Sequence, residues 1–101
     1  MWRAQSHPEA DAELEEAAVY YEQCAPDLGH RFLDDYLSTL RRILSDPFRW
    51  RRIHGENRKL NFRRFPYGIV FSNDDDRKVV FVKAVMHLHR LPLYWQHRVI
   101  P

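Results

Sequence analysis

Residues 65–98 read FPYGIVFSNDDDRKVVFVKAVMHLHRLPLYWQHR, and this stretch decides the fold. Tyr67, Ile69 and Phe71 alternate with smaller residues, Asn73-Asp74-Asp75-Asp76 supply a polar turn, and Val79 to Met86 is almost wholly apolar. β-Branched and aromatic residues suit a pleated, packed surface and Asn and Asp suit turns, so the pattern predicts strand, turn, strand. Strict alternation puts Val79, Phe81 and Val85 on one face of the second strand and Val80, Val82, Ala84 and Met86 on the other. Apolar residues on both faces predict a central strand covered on both sides. Beyond it the chemistry changes to His87, His89, Arg90, Tyr94, Trp95, His97 and Arg98. Titratable and aromatic groups gathered at the end of a central strand form the first candidate site.

Working outward, the 101 residues and 45% apolar content predict a single domain spanning 1–101. No apolar run reaches transmembrane length. The N-terminal stretch turns acidic where a secretion signal would be apolar, and Cys24 is the one cysteine. Both predict a reduced, cytoplasmic setting with no disulfide framework. Net charge is +2, but residues 1–47 carry four arginines against ten acids, and residues 48–101 carry twelve Lys/Arg against four acids. The basic residues concentrate as Arg41, Arg42, Arg49, Arg51, Arg52, Arg58, Lys59, Arg63 and Arg64. Arg dominates over Lys, which suits bidentate binding of phosphate or carboxylate. The run therefore reads either as a surface for nucleic acid or an acidic protein, or as an ordinary solvated face.

Upstream, Trp2 to Ser6 predicts a short first strand. His7-Pro8-Glu9 reads as a helix start, with Pro8 at the first helical position and acids where the helix dipole favours them. Ala10, Leu14, Ala17, Ala18 and Tyr21 recur at spacings of three and four, and Pro26 ends the helix near Cys24-Ala25. A second helix runs from about Pro26-Asp27 to Leu44-Ser45, with a broad apolar face of Leu28, Phe32, Leu33, Tyr36, Leu37, Leu40, Ile43 and Leu44. The short connector predicts an antiparallel hairpin. Phe48 to Arg52 is either a turn of helix or an extended connector, and Arg58 to Phe65 reads as a strand with Leu60 and Phe62 inward. The expected fold is α+β, in the order β-α-α-β-β-β. Its antiparallel sheet carries the helical hairpin on one side, and a turn or short helix follows near Leu91–His97. The basic residues of the Arg58 strand and the residues after Met86 are expected on the side away from the helices or at its rim.

Four features together resemble the RelE/ParE superfamily of toxins from bacterial type II toxin–antitoxin systems, also called plasmid stabilisation proteins. They are the Tyr20-Tyr21-Glu22 helix end, the Leu28-Gly29-x-x-Phe32-Leu33 second helix, the Arg64-Phe65-Pro66-Tyr67 strand start and the His87-x-x-Arg90-x-Pro92-x-x-Trp95 terminus. The resemblance covers nearly the whole chain. It implies a small growth inhibitor held in check by a cognate antitoxin, and no cofactor is expected. His87 and His89 alternate and could face the same way, but no Cys or paired Asp lies nearby in sequence, so no metal is expected either. Superfamily members either cut messenger RNA on the ribosome, as in the RelE branch, or inhibit DNA gyrase, as in the ParE branch.

For cutting, the RelE branch implies a base, a phosphate-holding cation and an acid. The candidates here are Arg63, Arg64, His87, Arg90 and Tyr94, with His89 beside them. Nuclease members resemble one another in a Tyr-Arg or His-Arg pair opening the third strand, where this chain has Tyr67-Gly68. That departure favours the ParE branch, with gyrase as the partner rather than ribosome and mRNA. A member without toxicity that retains antitoxin binding is a further alternative. Target or antitoxin binding then falls to Arg41, Arg42, Arg49, Arg51, Arg52, Arg58, Lys59 and Trp95. His87 also reads as a structural residue capping the last strand, and Arg90, Tyr94 and Trp95 as scaffold, Arg90 being held by an acid of the first helix.

Overall fold

The computed structural model describes residues 1–99. It runs β1 (Arg3–Ser6), α1 (Pro8–Cys24), α2 (Leu28–Ser45), β2 (Arg52–His54), β3 (Asn57–Asn61), β4 (Tyr67–Asp74) and β5 (Val79–His87). The strands form one sheet in the order β1-β5-β4-β3-β2. The architecture is α+β, as the sequence predicts. Three of the pairings are antiparallel; the fourth, β1 with β5, is parallel, so the sheet is mixed. The chain reaches β1 first and β5 last, and the helical hairpin between them brings β5 back alongside β1 in the same direction. The Phe48–Arg52 connector leads into an extended edge strand, β2.

The helix ends follow local chemistry. The His7 ring Nδ1 accepts the Glu9 amide at 3.1 Å and caps α1, with Pro8 in the first turn. Pro26 stops α1, and Asp27 turns the chain through a left-handed conformation at φ 70°. Glu22 then reaches forward and accepts the amides of Asp27 at 3.1 Å and Gly29 at 3.0 Å, placing a carboxylate at the positive end of α2. The helices touch at Gly29, where a Cβ would fall 2.6 Å from the Ala18 carbonyl oxygen.

One core lies between helices and sheet, built on Ala10, Ala17, Phe32, Tyr36, Ile43, Phe62, Ile69, Phe71, Val80, Val82 and Val85. Phe32 is its aromatic centre, stacked on Tyr21 at 5.3 Å and edge-on to Tyr67 at 4.9 Å. A smaller core lies apart from the first: Val70, Ala84 and Met86 under Trp95. β5 is thus covered on both faces, as expected, but the strict alternation fails. Val70 faces Ala84 while Phe71 faces Val82, so Lys83 is an extra residue, a β-bulge. The bulge shifts the parity. Val85 joins Val80 and Val82 in the main core, while Ala84 and Met86 go to the second.

β3 is shorter than expected, because Arg63, Arg64 and Phe65 leave the ladder. Their amides donate instead to the buried Asp35 carboxylate of α2, at 3.3, 2.9 and 3.0 Å.

Candidate functional site

The end of β5 is the first place where chemistry gathers. β1 stops at Ser6 and its last backbone bond to β5 is His7 N–H to the Val82 carbonyl, at 2.9 Å. Beyond that point the outer edge of β5 has no strand beside it, and unpaired backbone groups there are costly. Two side chains take the missing strand's place. The Glu13 carboxylate accepts the Val85 amide at 3.1 Å, and Arg98 donates to the Lys83 carbonyl at 3.0 Å. Glu13 and Arg98 also bind each other, at 2.8 and 3.2 Å.

Glu13 comes from α1, at helical spacing from the buried Ala10 and Ala17, which turns it toward the sheet. Arg98 arrives from the irregular segment after β5, which Trp95 anchors to the sheet. The Tyr94 hydroxyl donates to Glu13 at 2.6 Å, with the guanidinium carbons of Arg90 and Arg98 4.1 and 5.1 Å from its ring centre. Burial first, then the bond and charge of Glu13, push the Tyr94 phenol well above its ordinary value. Arg90 approaches Glu13 at 4.0 Å and is otherwise exposed. Glu9 adds contacts to Arg98 and His97, both at 3.1 Å.

His87 sits beside this knot, its ring 5.1 Å from that of Tyr67 and 5.2 Å from that of His89. Its Nδ1 accepts the His89 amide, closing the end of the strand at 3.1 Å. Tyr67, His87, Arg90, Tyr20, Glu13 and Glu16 share a cavity of about 200 Å³. Arg63 and Arg64 line a different hollow, with Arg31, Asp34, Asp35 and Ser38. The five residues assigned to RNA cutting are therefore split between two places, and Tyr94 is committed to Glu13. Gly68 has its own reason: a Cβ there would lie 2.9 Å from Asn61 Oδ1 across the strand pair.

The second gathering is basic. Trp50 lies between α2 and β2, with the guanidinium carbons of Arg42 and Arg49 5.2 and 5.1 Å from its ring centre. Arg63 and Arg49 both press electrostatically on Arg42, which burial has already moved down from its ordinary value. Trp50, Arg51 and Lys59 border a common hollow with Ile53, Leu60 and Asn61. Arg41 is exposed on α2, and Arg52 pairs with Glu56 at 3.7 Å.

Two residues assigned to partner binding are corrected. Arg58 is buried on the Leu60 face, as the period of two requires, and donates to the carbonyls of Phe48 at 3.1 Å and Trp50 at 2.7 Å. It fastens the connector rather than a partner. Trp95, 1% exposed, is the lid of the second core. The sequence reading places Arg98 in the cluster after Met86 without a role and does not single out Glu13 or Asp35. An acid lying on a buried helical stripe was the available signal for Glu13 and Asp35. Among the described residues, no three His, Cys, Asp or Glu side chains are grouped to hold a metal ion, and no helix is long and apolar enough to cross a membrane.

The whole is a two-helix hairpin laid on a mixed five-stranded sheet and closed by a C-terminal Tyr/Arg clasp. A family model described as the ParE toxin of type II toxin–antitoxin system, parDE, matches residues 5–92, and the chain belongs to that family. A solved structure titled "Chromosomal ParDE TA system from P. aeruginosa" shares the fold, with a TM-score of 0.74 at 15% identity. The match covers 88% of this chain and 98% of that one. No curated protein matches the chain.

Proposed function

We propose that this toxin-family chain acts by binding and inhibiting a DNA-handling enzyme of gyrase type in the cytoplasm, and that a cognate antitoxin neutralises it. The observation that carries this reading over RNA cutting is the fate of the five candidate nuclease residues. Arg63 and Arg64 lie at one hollow; His87 and Arg90 lie at another; Tyr94 donates its proton to Glu13. A general acid must release its proton to a leaving oxygen, and a phenol whose proton is held by a carboxylate is poorly matched to that step. Gly68 stands where the cutting branch carries arginine, and the close approach of Asn61 supports glycine there.

Antitoxin binding is supported by the helical hairpin. Val19, Tyr20 and Leu37 are exposed, and Ala18, Val19 and Leu33 line an open groove between the helices. An amphipathic helix buries its apolar stripe on such a surface.

The test is induced expression of the chain alone, following labelled precursor incorporation into DNA and protein over the first minutes, with purified gyrase assayed for supercoiling alongside. The expected result is early loss of DNA synthesis and inhibited supercoiling. Early loss of protein synthesis with cut messages would overturn the reading and make the Tyr67–His87–Arg90 cavity the site. Coexpression with the neighbouring gene product should restore growth and yield a copurifying complex.

A further inference from the structure

We infer that the belt formed by Arg42, Arg49, Trp50, Arg51, Lys59 and Arg63 is a binding surface for the phosphate backbone of duplex DNA. Three observations carry it. First, these cations form no ion pairs among the described residues; the nearby pair is Arg52 with Glu56. Asp35 is the counter-charge that acts on Arg42, and its carboxylate is already taken up by three backbone amides. Like charges in excess of their counter-charges repel, and an external polyanion relieves that cost. Second, Trp50 has guanidinium groups from α2 and from its own connector about 5 Å from its ring centre. Stacked guanidinium keeps its edge free for bidentate bonds to phosphate oxygens, and the ring orders two otherwise flexible side chains in advance.

Third, the charge is polarised along the sheet. α1 carries six acids and no Lys or Arg, and it packs on β5 toward one end of the sheet. The belt lies on α2, the connector before β2, β3 and the turn after it, toward the other end. A molecule charged in this way presents its basic end to a polyanion and turns its acidic end away. An acidic peptide would satisfy the charge as well, but the Arg-rich composition favours phosphate. The choice of DNA over RNA rests on the proposed DNA-handling target.

The test is fluorescence anisotropy of a labelled 20-base-pair DNA duplex titrated with the full chain from 50 to 200 mM salt, with no gyrase present. Four or five phosphate contacts predict a slope of log K against log salt of about −4. Arg49→Ala with Arg51→Ala, both exposed, should weaken binding roughly 50-fold at 100 mM salt and reduce the slope by about two. Arg3→Ala with Arg77→Ala, off the belt on β1 and the β4–β5 turn, should leave both unchanged. No binding at 50 mM salt, or equal loss in the two double variants, would overturn the inference. So would tighter binding of a 20-residue poly-glutamate or of a duplex RNA. Because gyrase is absent, DNA binding without gyrase inhibition would sink the proposed function and spare the belt; gyrase inhibition without DNA binding would do the reverse.

Discussion

Arg98 and Glu13 meet at 2.8 Å across 85 residues of chain, each nearly buried, and between them they occupy the outer edge of β5 where β1 has stopped. Breaking such a pair leaves an uncompensated charge and an open backbone group. Glu13→Ala should cost about 3 kcal/mol by urea unfolding. Arg90→Ala removes a 4.0 Å contact from an exposed side chain and should cost under about 1 kcal/mol. Equal losses in the two variants would show that the edge is not closed by this pair.

Tyr94 gives an alkaline signature. Its phenol is held above the ordinary value of 10, first by burial and then by Glu13. Stability from a raised group is complete below the unfolded value and is lost as pH rises from about 10 toward the folded one. Tyr94→Phe should therefore lower stability at pH 7 and make the decline above pH 10 shallower. Tyr21, Tyr36 and Tyr67 are also raised by burial, so part of the decline should remain. Parallel alkaline limbs for the two proteins would refute the assignment.

The acid limb belongs in part to Glu9. Its carboxyl is held below the ordinary 4.5, first by the hydrogen bond to His97, against an opposing effect of desolvation, and with help from the charges of Arg98, His97 and His7. The stabilisation is present above the unfolded value and is lost as pH falls through the folded one. Glu9→Gln should flatten the stability profile below pH 4.5 while leaving the alkaline limb unchanged. Thermal unfolding from pH 3 to 7 checks it.

Asp35 should be as important to shape as any core residue. It accepts three successive amides that have left the β3 ladder. Asp35→Ala orphans them and should cost about 2–3 kcal/mol. Asp35→Asn keeps an acceptor and should cost less. Amide exchange at Arg63, Arg64 and Phe65 should accelerate in both variants, most in Asp35→Ala.

Toxicity gives the functional prediction. Arg90→Ala should leave growth inhibition within a few-fold of the parent, since Arg90 is exposed and weakly held. Tyr94→Phe should do the same wherever the protein stays folded. Loss of toxicity in both, with antitoxin binding intact, would return the nuclease reading to favour.

The fold was largely legible because its signals were local. Pro8 and Pro26 bracket α1 and the Phe32 stripe marks α2; the turn between β4 and β5 falls at 75–78, because Asn73 and Asp74 of the Asn-Asp run still pair with Val80 and Val79. What escaped was non-local. The bulge at Lys83 is a pairing event between two strands, and a lysine amid valines reads the same whether or not it bulges. The parallel pairing of β1 is set by the path of a hairpin, not by Arg3–Ser6. At the site, the cluster after Met86 was visible as composition, but its organiser, Glu13, lies some seventy residues earlier among other glutamates. Arg58 shows the converse. It looked like one more surface cation, though its parity with Leu60 already pointed it inward.

The Glu13–Arg98 closure also orders events during synthesis. Glu13 leaves the ribosome 85 residues before Arg98, and the central strand gains its neighbour β1 from even further upstream. An early helical hairpin can gain β3 and β4 as they emerge, but α1 lacks its strand until β5 follows, and the edge stays open until Arg98 arrives. Partial chains released before that point would carry an unprotected strand edge rather than a closed sheet. A cell translating this message therefore meets the closed fold only once Arg98 has been made.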